Sequence, residues 1–174
     1  MSIKYARTQA EKLVDRLGIN SLPIKVDKIA ALLNLTVTSA NLGDGVSGLL
    51  ISDGITAHVI THENDGPNRQ RFTIAHEIGH YYLQHQFEDG EHVHVDRGHY
   101  ISQRGPKASD GTDIKEIEAN QFAASLLMPS KFVREKVKEL GGGSLLDQHV
   151  SQLAELFEVS EQAMTIRLTT LELL

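Results

Sequence analysis

The sequence contains no cysteine, which excludes disulfides and thiolate metal sites and leaves nitrogen and oxygen as the donors for any transition metal. It also lacks long apolar runs: no stretch approaches the roughly 18 consecutive apolar residues of a membrane span. Met1 to Ala10 hold no apolar segment behind a basic start, so no secretory leader is expected and the protein is read as soluble and cytoplasmic. Basic residues are in deficit, 17 Lys and Arg against 23 Asp and Glu for a net charge of −6. That is the wrong sign for attraction to phosphate backbones or anionic lipid, so neither nucleic acid nor membrane is an expected direct partner. Internal repeats and low-complexity segments are absent too, and Gly141-Gly142-Gly143 is the one linker-like point.

What remains is 174 residues with 40% apolar side chains, enough for one domain with its own core. Ala6, Ala10, Leu13, Val14 and Leu17 recur at helical spacing before Gly18, and a short helix is expected at Asp27 to Leu33. The period then changes: Leu35 to Ala40, Val46 to Ser52 and Ile55 to Thr61 are β-rich, the last two joined by Asp53-Gly54, a hairpin signal. Helical character returns from Asn68 to Gln86, and Phe87 to Gly111 reads as a long polar loop. Thr112 or Asp113 is placed to cap a helix ending at Met128-Pro129, and helices follow at Ser130 to Leu140, Leu146 to Phe157 and Ser160 to Leu171.

The chemistry sits in His76-Glu77-Ile78-Gly79-His80. Histidines four apart share a helix face, about 6 Å apart along the axis by helical rise, so both imidazoles can reach one ion. A catalytic zinc keeps a position open for water, acidifies that water and polarises a carbonyl, and an adjacent carboxylate moves the proton to the leaving nitrogen. His76 and His80 are thus the candidate metal ligands and Glu77 the candidate general base. Such a five-residue pattern also arises by chance on a solvated helix. Here Phe72, Ala75, Gly79 and Leu83 mark a face suited to close packing, and a mid-helix glycine costs stability unless close approach rewards it.

A third ligand is sought on the helix containing Glu116-Ile117-Glu118-Ala119-Asn120-Gln121-Phe122-Ala123. Glu116 stands three and seven residues before Ala119 and Ala123, on the small-residue stripe. Glu118 points about 200° round the helix from it and ranks second. Asn120, one turn after Glu116, can hydrogen-bond the far nitrogen of a ligand histidine and set its tautomer; its ordinary alternative is a solvated helix asparagine.

At these residues the chain resembles the ImmA/IrrE family of metallopeptidases. Arg71-Phe72-Thr73-Ile74-Ala75-His76-Glu77-Ile78-Gly79-His80 is similar to its signature helix, and Glu116-Ile117-Glu118-Ala119-Asn120-Gln121-Phe122-Ala123-Ala124-Ser125-Leu126-Leu127-Met128-Pro129 to its second block. The resemblance spans most of residues 5 to 135. It implies that Glu116, three before the alanine, is a metal ligand. Many members carry a histidine a turn beyond the second ligand, whereas here His85 follows His80 by five, so the resemblance assigns His85 no role. It also implies a regulatory substrate, since related proteins cleave or inactivate helix-turn-helix repressors.

The expected architecture is therefore α+β: a zincin-like metallopeptidase core over residues 1–140, with a small antiparallel sheet packed on the His-Glu-x-x-His helix. A C-terminal helical, helix-turn-helix-like subdomain over 144–174 is packed on it or appended to it. From Ser144 to Leu174 five acids face one base, Arg167, which favours a packing or partner-binding element over a DNA reader. His92, His94, Asp96 and His99 cluster in the polar loop as a possible second metal site or substrate contact, although such loops are more often simply solvated. The strand at Ile55 to Thr61 could accept a substrate as an added strand, with His58 and His62 near the cleft. Tyr81, Tyr82, Tyr100 and the loop histidines are the candidates for oxyanion stabilisation.

One bound zinc ion and a protein substrate, a helix-turn-helix repressor, are the expected cofactor and partner. The rival expectation is a metal-containing interaction module that regulates a partner by binding with little or no proteolysis. A deformylase-type hydrolase also uses a His-Glu-x-x-His helix, but resembles a site with a cysteine ligand, which this chain lacks. Imidazole and carboxylate donors also accept manganese, iron or cobalt.

Overall fold

The computed structural model describes residues 2–52, 56–85, 93–96, 110–141 and 145–174. Among the described residues, seven helices and four strands run in the order α1 (Ile3–Arg16), α2 (Val26–Leu32), β1 (Leu35–Ala40), β2 (Gly48–Ser52), β3 (Ala57–His62), α3 (Pro67–Tyr82), β4 (Val93–Asp96), α4 (Asp110–Leu127), α5 (Ser130–Glu139), α6 (Asp147–Phe157) and α7 (Glu161–Thr170). This is the expected α+β architecture. Among the described residues no helix is long and apolar enough to cross a membrane.

The helices form where their apolar period places them. Helix α1 buries Ala6, Ala10, Leu13 and Val14, opens on Ser2, whose side chain accepts from the Tyr5 N–H, and is followed by Gly18 at φ +63°. Helix α4 packs against both α1 and α3 and starts at Asp110, ahead of the residues expected to cap it. In α3 every residue from Thr73 to His80 is buried, because the sheet covers one side of this helix and α4 the other.

Two glycines set how closely these layers meet. A Cβ on Gly48 of β2 would run into the Thr73 side chain and lie 3.3 Å from Glu77 Oε1. A Cβ on Gly79 of α3 would lie 3.2 Å from the Ala119 carbonyl oxygen and from Phe122 Cδ1 of α4. The mid-helix glycine is thus matched by a close helix approach, as its cost required.

The sheet corrects one expectation: it is mixed rather than antiparallel throughout. Its order is β1-β3-β2-β4; β2 pairs antiparallel with β3 and β4, but β1 pairs parallel with β3, Leu35 opposite Ala57 and Ala40 opposite His62. The reason is connectivity. The link from β1 to β2 spans residues 41–47, with Gly43 and Gly45 at φ +80° and +78°. Seven extended residues reach well beyond the roughly 10 Å between strands two positions apart, leaving room for β3 to enter between them. Consequently β3 is internal, with both edges paired, and cannot accept a substrate strand as expected. The Asp53-Gly54 turn lies outside the described residues.

The second correction is β4, within the stretch read as loop. Its pattern is inverted: Val93 and Val95 are 39% and 40% exposed while His94 between them is 8% exposed. Alternation alone would turn the valines inward, so the strand owes its register to pairing with β2, His94 opposite Leu50.

The C-terminal helices share the main core, since Val150, Leu153, Phe157, Met164 and Leu168 belong to the same buried cluster as Leu13, Ile78 and Phe122. Arg71 of α3 donates to the Phe157 and Glu158 carbonyl oxygens at 3.3 and 3.2 Å and pairs with the Glu158 carboxylate at 3.2 Å. Arg167, only 3% exposed, donates to the Met128 carbonyl and to Glu11 Oε1, both at 2.9 Å. The one base of that segment is therefore buried.

Candidate metal centre

The centre is built by three elements. Helical spacing in α3 brings His76 Nε2 within 3.0 Å of His80 Nε2. From α4, Glu116 Oε2 lies 3.3 Å from His76 Nε2 and Glu116 Oε1 lies 3.3 Å from His80 Nε2. From β4, His94 places Nε2 3.0 Å from Glu116 Oε1 and Nδ1 3.1 Å from Glu77 Oε2. One ligand-type atom from each of His76, His80, His94 and Glu116 can be chosen so that all four lie within 4.8 Å of one another.

The donors fit a zinc ion. Bonds of about 2.0–2.1 Å in a tetrahedron put neighbouring ligand atoms about 3.3 Å apart, and the His76, His80 and Glu116 atoms stand 3.0–3.3 Å apart. The histidines also present the correct atom. Asn120 Oδ1 lies 3.0 Å from His76 Nδ1, so Nδ1 carries the proton and donates it there, leaving the Nε2 lone pair toward the centre.

Electrostatics agree. Burial holds His80 well below the usual histidine pKa, a tendency the nearby Glu116 carboxylate opposes without overcoming, which favours the neutral ring that can ligate. Burial alone would raise the Glu116 pKa, but the three imidazoles of His76, His80 and His94 that face it outweigh burial and keep the carboxyl far below the usual range. Burial also opposes charge on His94, yet its bonds to Glu116 and Glu77 prevail and raise its pKa to about 10.

The structure brings together His76, His80, Glu116 and Glu77, with Asn120 behind His76, and it separates Glu118 from the donors. Glu118 is buried on another side of α4, where its Oε2 lies 3.1 Å from His85 Nε2. His94 and His85 are the additions. The sequence left His94 among four polar loop residues and gave His85 no part, although His85 is 8% exposed and its Nδ1 is 3.0 Å from His80 Nδ1. The Val-His-Val alternation was the available signal for His94; nothing in spacing pointed to His85. His58 is exposed on β3, and His62 accepts from the Asn64 N–H at 3.1 Å through Nδ1. Tyr81 and Tyr82 pack on the hydrophobic core, Tyr82 against Phe122 with ring centroids 5.6 Å apart. His92, His99 and Tyr100 lie outside the described residues.

Two comparisons bear on this geometry. A family model described as the IrrE N-terminal-like domain matches residues 32–169, which includes all three elements of the centre. The chain is 25% identical over 156 residues to Metallopeptidase ImmA of Bacillus subtilis (strain 168), an alignment covering 90% of this chain and 79% of that protein.

Proposed function

Because the chain belongs to the IrrE N-terminal-like family of metallopeptidases, we propose that it is a zinc-dependent endopeptidase of narrow specificity. Its substrate on this reading is a regulatory protein, a helix-turn-helix repressor. The observation that carries the proposal is the convergence of His76 Nε2, His80 Nε2 and the Glu116 carboxylate at 3.0–3.3 Å beside a buried Glu77.

His76, His80 and Glu116 would hold the ion, which supplies Lewis-acid activation of water and of the scissile carbonyl. Glu77, fully buried on the same helix turn, takes the proton of the attacking water and delivers it to the departing amide nitrogen. Its carboxylate is steadied by His94 Nδ1 at 3.1 Å. Asn120 keeps His76 in the ligating tautomer. His94, with Nδ1 and Nε2 at 3.1 and 3.0 Å from Glu77 and Glu116, is the candidate among the described residues to stabilise a developing oxyanion.

A second reading has its own observation. His94 completes a group of four protein donors, and four protein ligands characterise closed, structural zinc sites. On that reading the protein controls its partner by binding. Glu77→Gln distinguishes the two: it should retain metal while cleavage of the repressor falls by about 10²–10⁴-fold, the usual contribution of a general acid–base. Undiminished action on the partner would reject the peptidase reading.

A further inference from the structure

We infer that His85 and Glu118 form a positioning relay for the metal centre, in which Glu118 sets the tautomer of His85 and His85 in turn sets that of His80. The inference rests on the reading of His80 as a metal ligand.

The chain is folded to make this contact. Beyond α3, Gln84 takes φ +55°, a left-handed conformation uncommon for a residue other than glycine. This turn returns His85 toward the helix, where its N–H donates to the His80 carbonyl oxygen at 3.1 Å. The side chains then form a buried line: Glu118 Oε2 to His85 Nε2 at 3.1 Å, and His85 Nδ1 to His80 Nδ1 at 3.0 Å. Glu118, His85 and His80 are 2%, 8% and 0% exposed.

Proton accounting gives the line one direction. A carboxylate accepts only, so His85 Nε2 carries a proton and donates it to Glu118. In neutral His85 the opposite nitrogen, Nδ1, is then an acceptor, and the proton between the two rings belongs to His80 Nδ1. His80 Nε2 is left with its lone pair, and this atom faces His76 and Glu116. Carboxylates commonly orient metal-bound histidines in this way; here a second imidazole extends the carboxylate's reach. One turn of α4 thus supplies a ligand in Glu116, the orienter of His76 in Asn120 and, through His85, the orienter of His80.

The test measures zinc affinity by chelator competition in wild type, His85→Ala and His85→Asn, together with proton spectra of the cobalt(II)-substituted proteins. His85→Ala should weaken zinc binding about 10- to 100-fold, the usual cost of losing a partner behind a ligand. His85→Asn, whose amide oxygen can still accept from His80 Nδ1, should recover part of it. The shifted exchangeable resonance of the His80 Nδ1–H should exchange rapidly with solvent in the alanine variant, while that of His76 persists. Unchanged affinity and an unchanged His80 resonance in His85→Ala would overturn the relay, as would equal losses in both variants with the resonance retained. If wild type binds no metal, or His80→Ala binds as wild type does, the ligand assignment itself fails and the relay falls with it.

Discussion

Substituting Gly79 with alanine sets two known effects against each other at the centre of the molecule. In an exposed helix the change stabilises by about 1 kcal/mol through propensity. At Gly79 the new Cβ would stand 3.2 Å from the Ala119 carbonyl oxygen and Phe122 Cδ1 and 3.3 Å from Ala119 Cα, where ordinary contact begins at 3.4 Å. Two of those atoms are helix backbone and the third belongs to a fully buried ring, so none can step aside alone. Helix α4 must move by a few tenths of an ångström. Overpacking of this kind costs about 1–3 kcal/mol, which outweighs the propensity gain and leaves a net destabilisation of about 0–2 kcal/mol. Glu116 lies one turn before Ala119 on the helix being displaced, so zinc affinity should fall as well. Urea unfolding of the chelator-treated protein measures the first effect and chelator competition the second. A variant more stable by about 1 kcal/mol, with unaltered zinc affinity, would show that α3 and α4 are not in the contact described.

Other consequences concern stability away from the ligands and the response to pH. Arg167→Ala removes the buried donor to the Met128 carbonyl, while Glu11, 28% exposed, keeps its bond from the Ser130 N–H at 2.8 Å; a buried group that loses a charged partner costs about 1–3 kcal/mol, and a loss below about 1 kcal/mol in urea unfolding would place the contact among surface ion pairs. In the metal-free protein His94 has a pKa near 10 when folded, above its value of about 6.5 in an unfolded chain. Its contribution is therefore complete below about pH 6.5 and lost as pH rises toward 10. Thermal unfolding of chelator-treated wild type should weaken over that interval and His94→Ala should flatten the slope; equal slopes would refute the bridge to Glu77 and Glu116.

Much of this was legible in the sequence because it is written in local periodicity. The spacing of His76 and His80 predicts convergence of their Nε2 atoms, and helical phase favours Glu116 over Glu118 as the residue beside them, as the structure places them. Asn120 is found behind His76 on the same reasoning. What escaped depends on long-range pairing. The parallel partner of β3 is chosen by the route of residues 41–47 rather than by any strand's own pattern. His94 is turned inward by β2 against the preference of its valine neighbours. His85 returns to His80 through a left-handed glutamine that no turn signal marks.

His76, His80 and Glu116 are proposed to hold the metal ion. Metal analysis of the purified protein beside His80→Ala and Glu116→Ala tests this most directly. The geometry predicts one equivalent of zinc in the wild type and its loss or marked depletion in both variants. Stoichiometric zinc retained in both would contradict it.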